Sequence, residues 1–239
     1  MNKIIFNIIF IFSFSLFHCN SKKMNFIFIL NGSFETEYDI NFFKLYDKIV
    51  CIDGGFEKFQ KLNLGIEPDY VIGDFDSIKN FEDKLKNFDK NKVIFKDNQD
   101  ELDTEFALKF ILKKYENEVI QNIDFIYAVS TTRVDHLLCN TFLLKQVPLN
   151  INSRIITKYQ EYFLLRNKAD IIGHAGKTLS VIPVTNVKGL TIKGCKWDLD
   201  NSDLNFGFIG GISNIVEKDK AEIYLKEGEC IIVITNELV

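Results

Sequence analysis

Between residues 24 and 148 short apolar runs alternate with stretches of helical spacing, and from residue 149 onward only short β-like runs remain, separated by glycines. Residues 26–30, 48–52, 70–73 and 123–129 are dense in Val, Ile, Phe and Tyr and read as buried strands. Phe56, Phe59 and Leu62 recur at helical spacing after the second run, Phe106, Phe110 and Ile111 before the fourth, and Leu137, Leu138, Thr141, Phe142 and Leu144 after it. Strands that alternate with helices predict an α/β domain with a mostly parallel sheet. Past Pro148-Leu149-Asn150 the runs are 154–158, 162–166, 178–183, 190–193, 221–226 and 230–235. They predict an antiparallel all-β, sandwich-like domain. The expected organisation is therefore an apolar extension at 1–23, an α/β domain at 24–148 and a β domain at 149–239.

The strand ends carry the candidate chemistry. The first run stops at Asn31-Gly32-Ser33, the second at Asp53-Gly54-Gly55, and the third at Gly73-Asp74-Phe75-Asp76-Ser77. An open α/β sheet binds its ligand at the carboxyl ends of its strands, which is where these residues fall. In extended backbone residues i and i+2 point to one side, so Asp74 and Asp76 can converge on one divalent ion. Mg²⁺ usually takes one or two protein carboxylates and fills its other positions with water and phosphate oxygens. A solvated Asp-rich turn is the alternative. Gly54 and Gly55 let backbone N–H groups approach an anion at a helix start. Asp103 stands where an N-cap belongs, and capping alone would explain it. After the fourth strand, Arg133 and Asp135 could bind phosphate and orient a metal-bound water, or could pair with each other on the surface. His136 is read as a buried structural histidine and left out of the chemistry.

The order Asp53-Gly54-Gly55, Pro68-Asp69, Gly73-Asp74-Phe75-Asp76-Ser77, Asp103 before a helix and Arg133-Val134-Asp135-His136 resembles the thiamine pyrophosphokinase family. Gly194-Cys195-Lys196-Trp197-Asp198-Leu199 and Phe206-Gly207, followed by Ile212-Ser213-Asn214, are similar to that family's thiamine-binding segment. The resemblance covers residues 24–239. It implies transfer of pyrophosphate from ATP to the thiamine hydroxyl, giving thiamine diphosphate and AMP with Mg²⁺ as cofactor. The catalytic set would be Asp74, Asp76, Asp103, Arg133 and Asp135, with Asp74, Asp76 and Asp103 as metal ligands. Asn31, Gly32, Asp53, Gly54, Gly55, Ser77, Thr132 and Arg133 would hold the nucleotide. Trp197 would be a platform for the cationic substrate, and Ser213 and Asn214 would hydrogen-bond to it. A packing role is the other reading of that indole. A homodimer is implied, with the substrate site between the β domain of one subunit and the α/β domain of the other. Two features depart from the family. Leu102 replaces a Thr before Asp103, and Ala128, Thr131 and Thr132 stand in the places of glycines, where the hydroxyls of Ser130, Thr131 and Thr132 could act as donors instead. A hydroxymethylpterin pyrophosphokinase and a non-catalytic, membrane-anchored thiamine- or nucleotide-binding protein are the alternatives.

Composition narrows the class further. The chain has 239 residues, of which 46% are hydrophobic, and a formal charge of −4, with no basic stripe of the kind nucleic acid requires. Cys19, Cys51, Cys139, Cys195 and Cys230 are odd in number, far apart and without a C-x-x-C pair. They are expected to be free thiols in a reducing compartment rather than a zinc site. At the N-terminus, Asn2-Lys3 and the apolar residues 4–17 have signal-peptide length, and Cys19 sits where a lipoprotein cysteine would. His18 is a poor residue before such a cleavage site, and the run is short for a membrane span. A start at Met24 behind a misread extension is the simpler expectation. The expected location is the cytoplasm, with membrane association only if the extension is a real anchor.

Overall fold

The computed structural model describes residues 22–236 apart from residues 79, 87 and 99. The apolar extension, with Cys19, thus lies almost entirely outside the described residues. Among these no helix is long and apolar enough to cross a membrane. The described residues divide after Lys158 into two compact units.

The first unit is α/β. Its elements are β1 (Lys23–Ile29), α1 (Ile40–Phe43), β2 (Lys48–Ile52), α2 (Gly55–Lys61), β3 (Tyr70–Gly73), α3 (Phe81–Leu85), β4 (Val93–Phe95), α4 (Asp103–Lys114), β5 (Val119–Ile126), α5 (Val134–Leu143) and β6 (Asn152–Ile156). The strands lie in the order β6-β5-β1-β2-β3-β4, and each pairing is parallel. Strand order reverses between β1 and β5, and ligand crevices form at such a point. Phe26, Ile27, Phe28 and Ile29 of β1 are all buried, because a central strand covered on both faces carries no polar side. From α4, Thr104, Ala107, Leu108 and Ile111 turn inward at helical spacing. Phe106 and Phe110, read as the apolar face from sequence, are only half-buried.

Run 154–158 was expected in the β domain. It forms β6 instead, parallel to β5 with Asp124 opposite Arg154. Ile155 and Ile156 are buried, and the α5 crossover brings the strand back in the parallel sense. Arg154 Nε and Nη2 donate to Asp124 at 3.1 and 2.9 Å, and Tyr46 Oη donates to the same carboxylate at 2.7 Å. A charge pair buried in a parallel sheet is tolerable only with this degree of hydrogen bonding.

The second unit is all β: β7 (Gln160–Leu165), β8 (Lys168–Ile172), β9 (Thr178–Pro183), β10 (Val187–Lys193), β11 (Leu199–Leu204), β12 (Asn214–Ile215), β13 (Lys220–Tyr224) and β14 (Cys230–Thr235). Strands β12-β9-β14-β7 pair antiparallel, as do β11-β10-β13-β8. Alternate residues of both sheets meet in one core: Leu179 and Val181 from β9, Leu190 and Ile192 from β10, Ala221 and Ile223 from β13, Ile232 and Ile234 from β14. Strand β11, Leu-Asp-Asn-Ser-Asp-Leu, has no continuous apolar face. It is a polar edge strand, which hydrophobic alternation could not reveal. Cys51, Cys195 and Cys230 are buried free thiols, and Cys139 is an exposed one.

Candidate active site

At the carboxyl ends of β2 and β3 the chain makes two tight turns side by side. Val50, Cys51 and Ile52 stand in register with Tyr70, Val71 and Ile72, so Asp53 and Gly73 leave the sheet together. The Asp53 amide donates to the Ile72 carbonyl at 2.8 Å. Asp53 (φ 46°) and Phe75 (φ 63°) occupy the left-handed region. Such backbone costs of order 1–3 kcal/mol per residue and persists where the surroundings impose it, as they do around the buried Phe75 ring. The reward is position. Carboxylate oxygens of Asp53, Asp74 and Asp76 lie within 4.8 Å of one another.

Two glycines permit this approach. A Cβ on Gly55 would stand 2.0 Å from the Ile29 carbonyl oxygen, and one on Gly73 would stand 3.1 Å from Asp53 Cβ. The β2–α2 turn therefore lies against the end of β1, with Asp53 beside the end of β3. Asp53 is 7% exposed, and its Oδ1 is buried with no hydrogen-bond partner among the described residues. Burial pushes its carboxyl above the ordinary range, and the charges of Asp103 and Asp76 add to that rise. The nearby Gly54 amide and Ser77 hydroxyl act against that rise. The Ser77 hydroxyl hydrogen itself goes to Asp76, with Oγ donating to Oδ1 at 3.1 Å, and the Asp76 amide donates to Asp74 Oδ1 at 3.3 Å. A buried acceptor with no donor, beside two further carboxylates, is a donor set that suits a hard divalent cation.

Asp103 was expected at the N-cap of its helix. The N-cap is Leu102, which makes no side-chain cap hydrogen bond, and Asp103 is the first helical residue. Its carboxylate pairs instead with Lys96, whose Nζ is 3.1 Å from Oδ1 and also donates to the Glu101 carbonyl at 2.8 Å. Lys96 is 4% exposed, just past the end of β4, where its amide donates to the Gly73 carbonyl at 2.9 Å. Sequence reasoning passed over Lys96, since a lone lysine in an acidic stretch gives no pattern.

The ends of β1 and β5 run on together beyond the ladder. The amides of Leu30, Gly32 and Ser33 donate to the carbonyls of Ile126, Tyr127 and Val129 at 3.0, 2.7 and 2.7 Å. Asn31 and Gly32 thus sit at the reversal of strand order, with the Asn31 side chain against Gly54. Asn140 on α5 donates to the Ala128 carbonyl at 2.8 Å and accepts from Thr104 at 3.4 Å, tying this end to α4. Arg133 and Asp135 are exposed and paired with each other: Nε meets Oδ1 at 3.0 Å and Nη2 meets Oδ2 at 2.7 Å. The guanidinium holds the Asp135 carboxyl well below its ordinary range. Neither belongs to the group formed by Asp53, Asp74 and Asp76. Ser130 Oγ accepts the Arg133 amide at 3.1 Å and lies 3.4 Å from Thr132 Oγ1. His136, expected to be buried, is exposed on the first turn of α5.

In the β unit Trp197 is 56% exposed, so the indole is neither core nor sheet packing. Lys196 Nζ lies 4.7 Å from its ring centroid, which marks that face as one that accepts a cation. Ser213 (φ 62°) donates its amide to Ser180 Oγ at 3.1 Å. Asn214 is buried and bonded to the backbone of Trp197 on both sides.

Comparison with known proteins agrees with this layout. Residues 41–157 match the family model "Thiamin pyrophosphokinase, catalytic domain" and residues 165–229 match "Thiamin pyrophosphokinase, vitamin B1 binding domain". The chain is 24% identical to thiamine pyrophosphokinase 1 of Oryza sativa subsp. japonica, over 73% of this chain and 74% of that one. Among solved structures it is similar to a thiamine pyrophosphokinase from Bacillus subtilis, with a TM-score of 0.77, 24% identity and coverage of 90% of this chain and 100% of that one. The yeast thiamin pyrophosphokinase gives a TM-score of 0.75 at 17% identity, covering 91% and 88%. Structural likeness at these identities establishes the fold. The two domain models, matched in tandem over both units, identify a transferase catalytic domain followed by a vitamin B1 binding domain, and the chain belongs to the thiamine pyrophosphokinase family.

Proposed function

We propose that the protein is a thiamine diphosphokinase: the thiamine hydroxyl attacks the β-phosphorus of ATP, the bond from that phosphorus to the α-phosphate oxygen breaks, and AMP leaves. One observation carries this reading. Asp53, Asp74 and Asp76 converge at the carboxyl ends of β2 and β3, inside the segment that matches the catalytic domain, with a buried oxygen left without a donor.

Asp74 and Asp76, with Asp53 as a third carboxylate, would hold Mg²⁺, and Asp103 would complete the acidic group directly or through water. Mg²⁺, when bound there, supplies charge neutralisation on the phosphate oxygens and fixes their orientation. Asn31, Gly32, Gly54 and Gly55 form the cradle for the nucleotide at the β1 and β2 ends, with Ser77 and Thr132 as hydroxyl donors. Arg133 would bind phosphate, which requires its guanidinium to leave Asp135. Both residues are exposed, and a solvent-screened surface pair of this kind is weak, so an incoming phosphate can compete for the arginine. In the β unit the exposed indole of Trp197 would take the cationic ring of thiamine, displacing Lys196 from its face. Ser213 would donate its hydroxyl to the substrate.

A homodimer belongs to the same reading. Phe206, Phe208, Ile209 and Ile212 on the β unit and Val134, Leu138 and Phe142 on α5 expose large apolar side chains, which support it. The cytoplasm is the proposed location, because ATP chemistry belongs where ATP is. The pterin alternative has less support, since residues 165–229 match a vitamin B1 binding domain.

Separate sites for the two substrates make a test. Trp197→Ala is expected to raise the thiamine Kd by roughly 3- to 30-fold, the range of about 0.5–2 kcal/mol for a cation–π contact, and to leave the ATP Kd within twofold. Calorimetric titration of both ligands checks this. Unchanged thiamine affinity would remove Trp197 from the substrate site.

A further inference from the structure

We infer that Asn214 is a positioning residue for Trp197, acting through the backbone of that tryptophan rather than as a hydrogen-bond partner of the substrate. The inference rests on the reading of Trp197 as the thiamine platform, and it concerns how that platform is built.

Three of the four hydrogen-bonding positions of the Asn214 side chain are taken by the protein's own backbone. Its Oδ1 accepts from the Trp197 amide at 3.1 Å and from the Ile215 amide at 2.8 Å, and its Nδ2 donates to the Trp197 carbonyl at 2.7 Å. An amide oxygen has two lone pairs, and both are taken. The same bonds fix the amide's orientation, since two backbone N–H groups can meet only the oxygen. Asn214 is 8% exposed, whereas the Trp197 it holds is 56% exposed. The pair of bonds to one residue's N–H and C=O has the form of a strand rung, made here by a side chain.

This rung completes the support of a short connection whose other bonds lie beside Trp197 rather than on it. Trp197 lies between β10 and β11, in a segment where Cys195 bridges to Val216, the Lys196 amide donates to the Ile215 carbonyl at 2.8 Å, and the Cys195 amide donates to Asp198 Oδ1 at 3.0 Å. Each of these bonds precedes or follows Trp197. Among the described residues, only Asn214 bonds the peptide groups on both sides of the indole-bearing Cα. Asn214 is itself fixed in β12, opposite Leu179 of β9. The chain of support runs from sheet to Asn214 to Trp197 backbone to indole. An exposed aromatic binds with useful affinity only if its orientation is set in advance, because ordering it at the moment of binding subtracts from the affinity.

The experiment uses the full-length chain. It contains a single Trp, so fluorescence reports on Trp197 alone. In thiamine-free protein, Asn214→Ala is expected to lower the Trp197 anisotropy and to increase its quenching by acrylamide, with a circular dichroism spectrum like that of the wild type. An anisotropy and quenching constant equal to wild type would overturn the proposal, whatever the protein binds. The second arm is a double-mutant cycle on thiamine affinity. Asn214→Ala is expected to raise the thiamine Kd by roughly 3- to 30-fold in the wild-type background, up to the full value of the Trp197 contact, and by less than twofold in the Trp197→Ala background. The same loss in both backgrounds would mean that Asn214 touches thiamine itself and would overturn the positioning role. If wild-type protein binds no thiamine, the functional reading fails and the fluorescence arm still decides this inference. Should Asn214→Ala fail to fold, Asn214→Asp keeps both acceptor bonds and loses only the donation to the Trp197 carbonyl. It is expected to show the same changes in anisotropy and quenching at smaller amplitude, and a wild-type signal there would count against the inference.

Discussion

Asp74→Asn is expected to lower the rate of thiamine diphosphate formation by about 10³-fold or more, the scale on which loss of charge stabilisation at a reacting centre is felt. The substitution preserves shape. Asp74 is half-buried, and its Oδ1 accepts the Asp76 amide at 3.3 Å, a bond that the asparagine oxygen can still take. What disappears is one negative charge from three carboxylates that lie within 4.8 Å of one another. Removing it relieves repulsion in the free protein, so the fold should be unharmed or slightly firmer. The expected signature is therefore a rate loss without a melting loss, together with weaker Mn²⁺ binding in a titration that needs no turnover. A wild-type rate in the variant would take Asp74 out of the metal assignment.

The largest effect on stability is expected from the opposite side of the reversal in strand order. Arg154→Met should destabilise the protein by about 3–5 kcal/mol, because it leaves Asp124 as a buried carboxylate whose guanidinium has gone. Asp124 and Arg154 side chains are only 6% and 15% exposed, and they face each other in register across β5 and β6. Tyr46 Oη still donates to Asp124 in the variant, but one neutral hydroxyl cannot replace a bidentate cation. Burial and the neighbouring carboxylate already push the Tyr46 hydroxyl well above its ordinary pKa, so it stays a donor throughout the working range. At about 2–4 °C per kcal/mol for a chain of this size, the melting temperature should fall by roughly 6–20 °C. A second substitution, Asp124→Leu, should recover most of the loss, since a buried apolar pair carries no uncompensated charge. Calorimetric melting of the single and double variants checks both statements. A shift below about 2 °C in Arg154→Met would mean that Asp124 finds another partner or reaches water.

The convergence of Asp74 and Asp76 was legible because it is local. Asp74 and Asp76 one residue apart, after an apolar run and a glycine, are a statement about a strand end that needs no knowledge of the rest of the fold. The parallel sheet followed from alternation of strands and helices, and the β-rich second half followed from short runs between glycines. Features set by which strands stand side by side were not legible. Asp53 was read as part of a nucleotide cradle, and its place among the carboxylates depends on β2 and β3 pairing in register. Lys96 enters only because β4 lies beside β3 and delivers it to Asp103. The one-residue shift from Asp103 to Leu102 at the start of α4 is the ordinary uncertainty of a helix end, but it changes the role of Asp103 from cap to ion-pair partner. Asn214 was legible as a candidate, but its bonds to the Trp197 backbone were not. A polar residue beside a candidate platform suggests a hand extended to the ligand, and nothing in the local sequence announces that it also bonds the peptide groups on both sides of Trp197.

The most direct test of the central claim is the nucleotide product. Full-length protein given ATP, Mg²⁺ and thiamine should release AMP and form thiamine diphosphate in equal amounts, with no thiamine monophosphate on the way, because the bond broken lies between the α and β phosphates. ADP with thiamine monophosphate would contradict the proposed transfer, and so would the absence of any thiamine product from folded protein that binds both substrates.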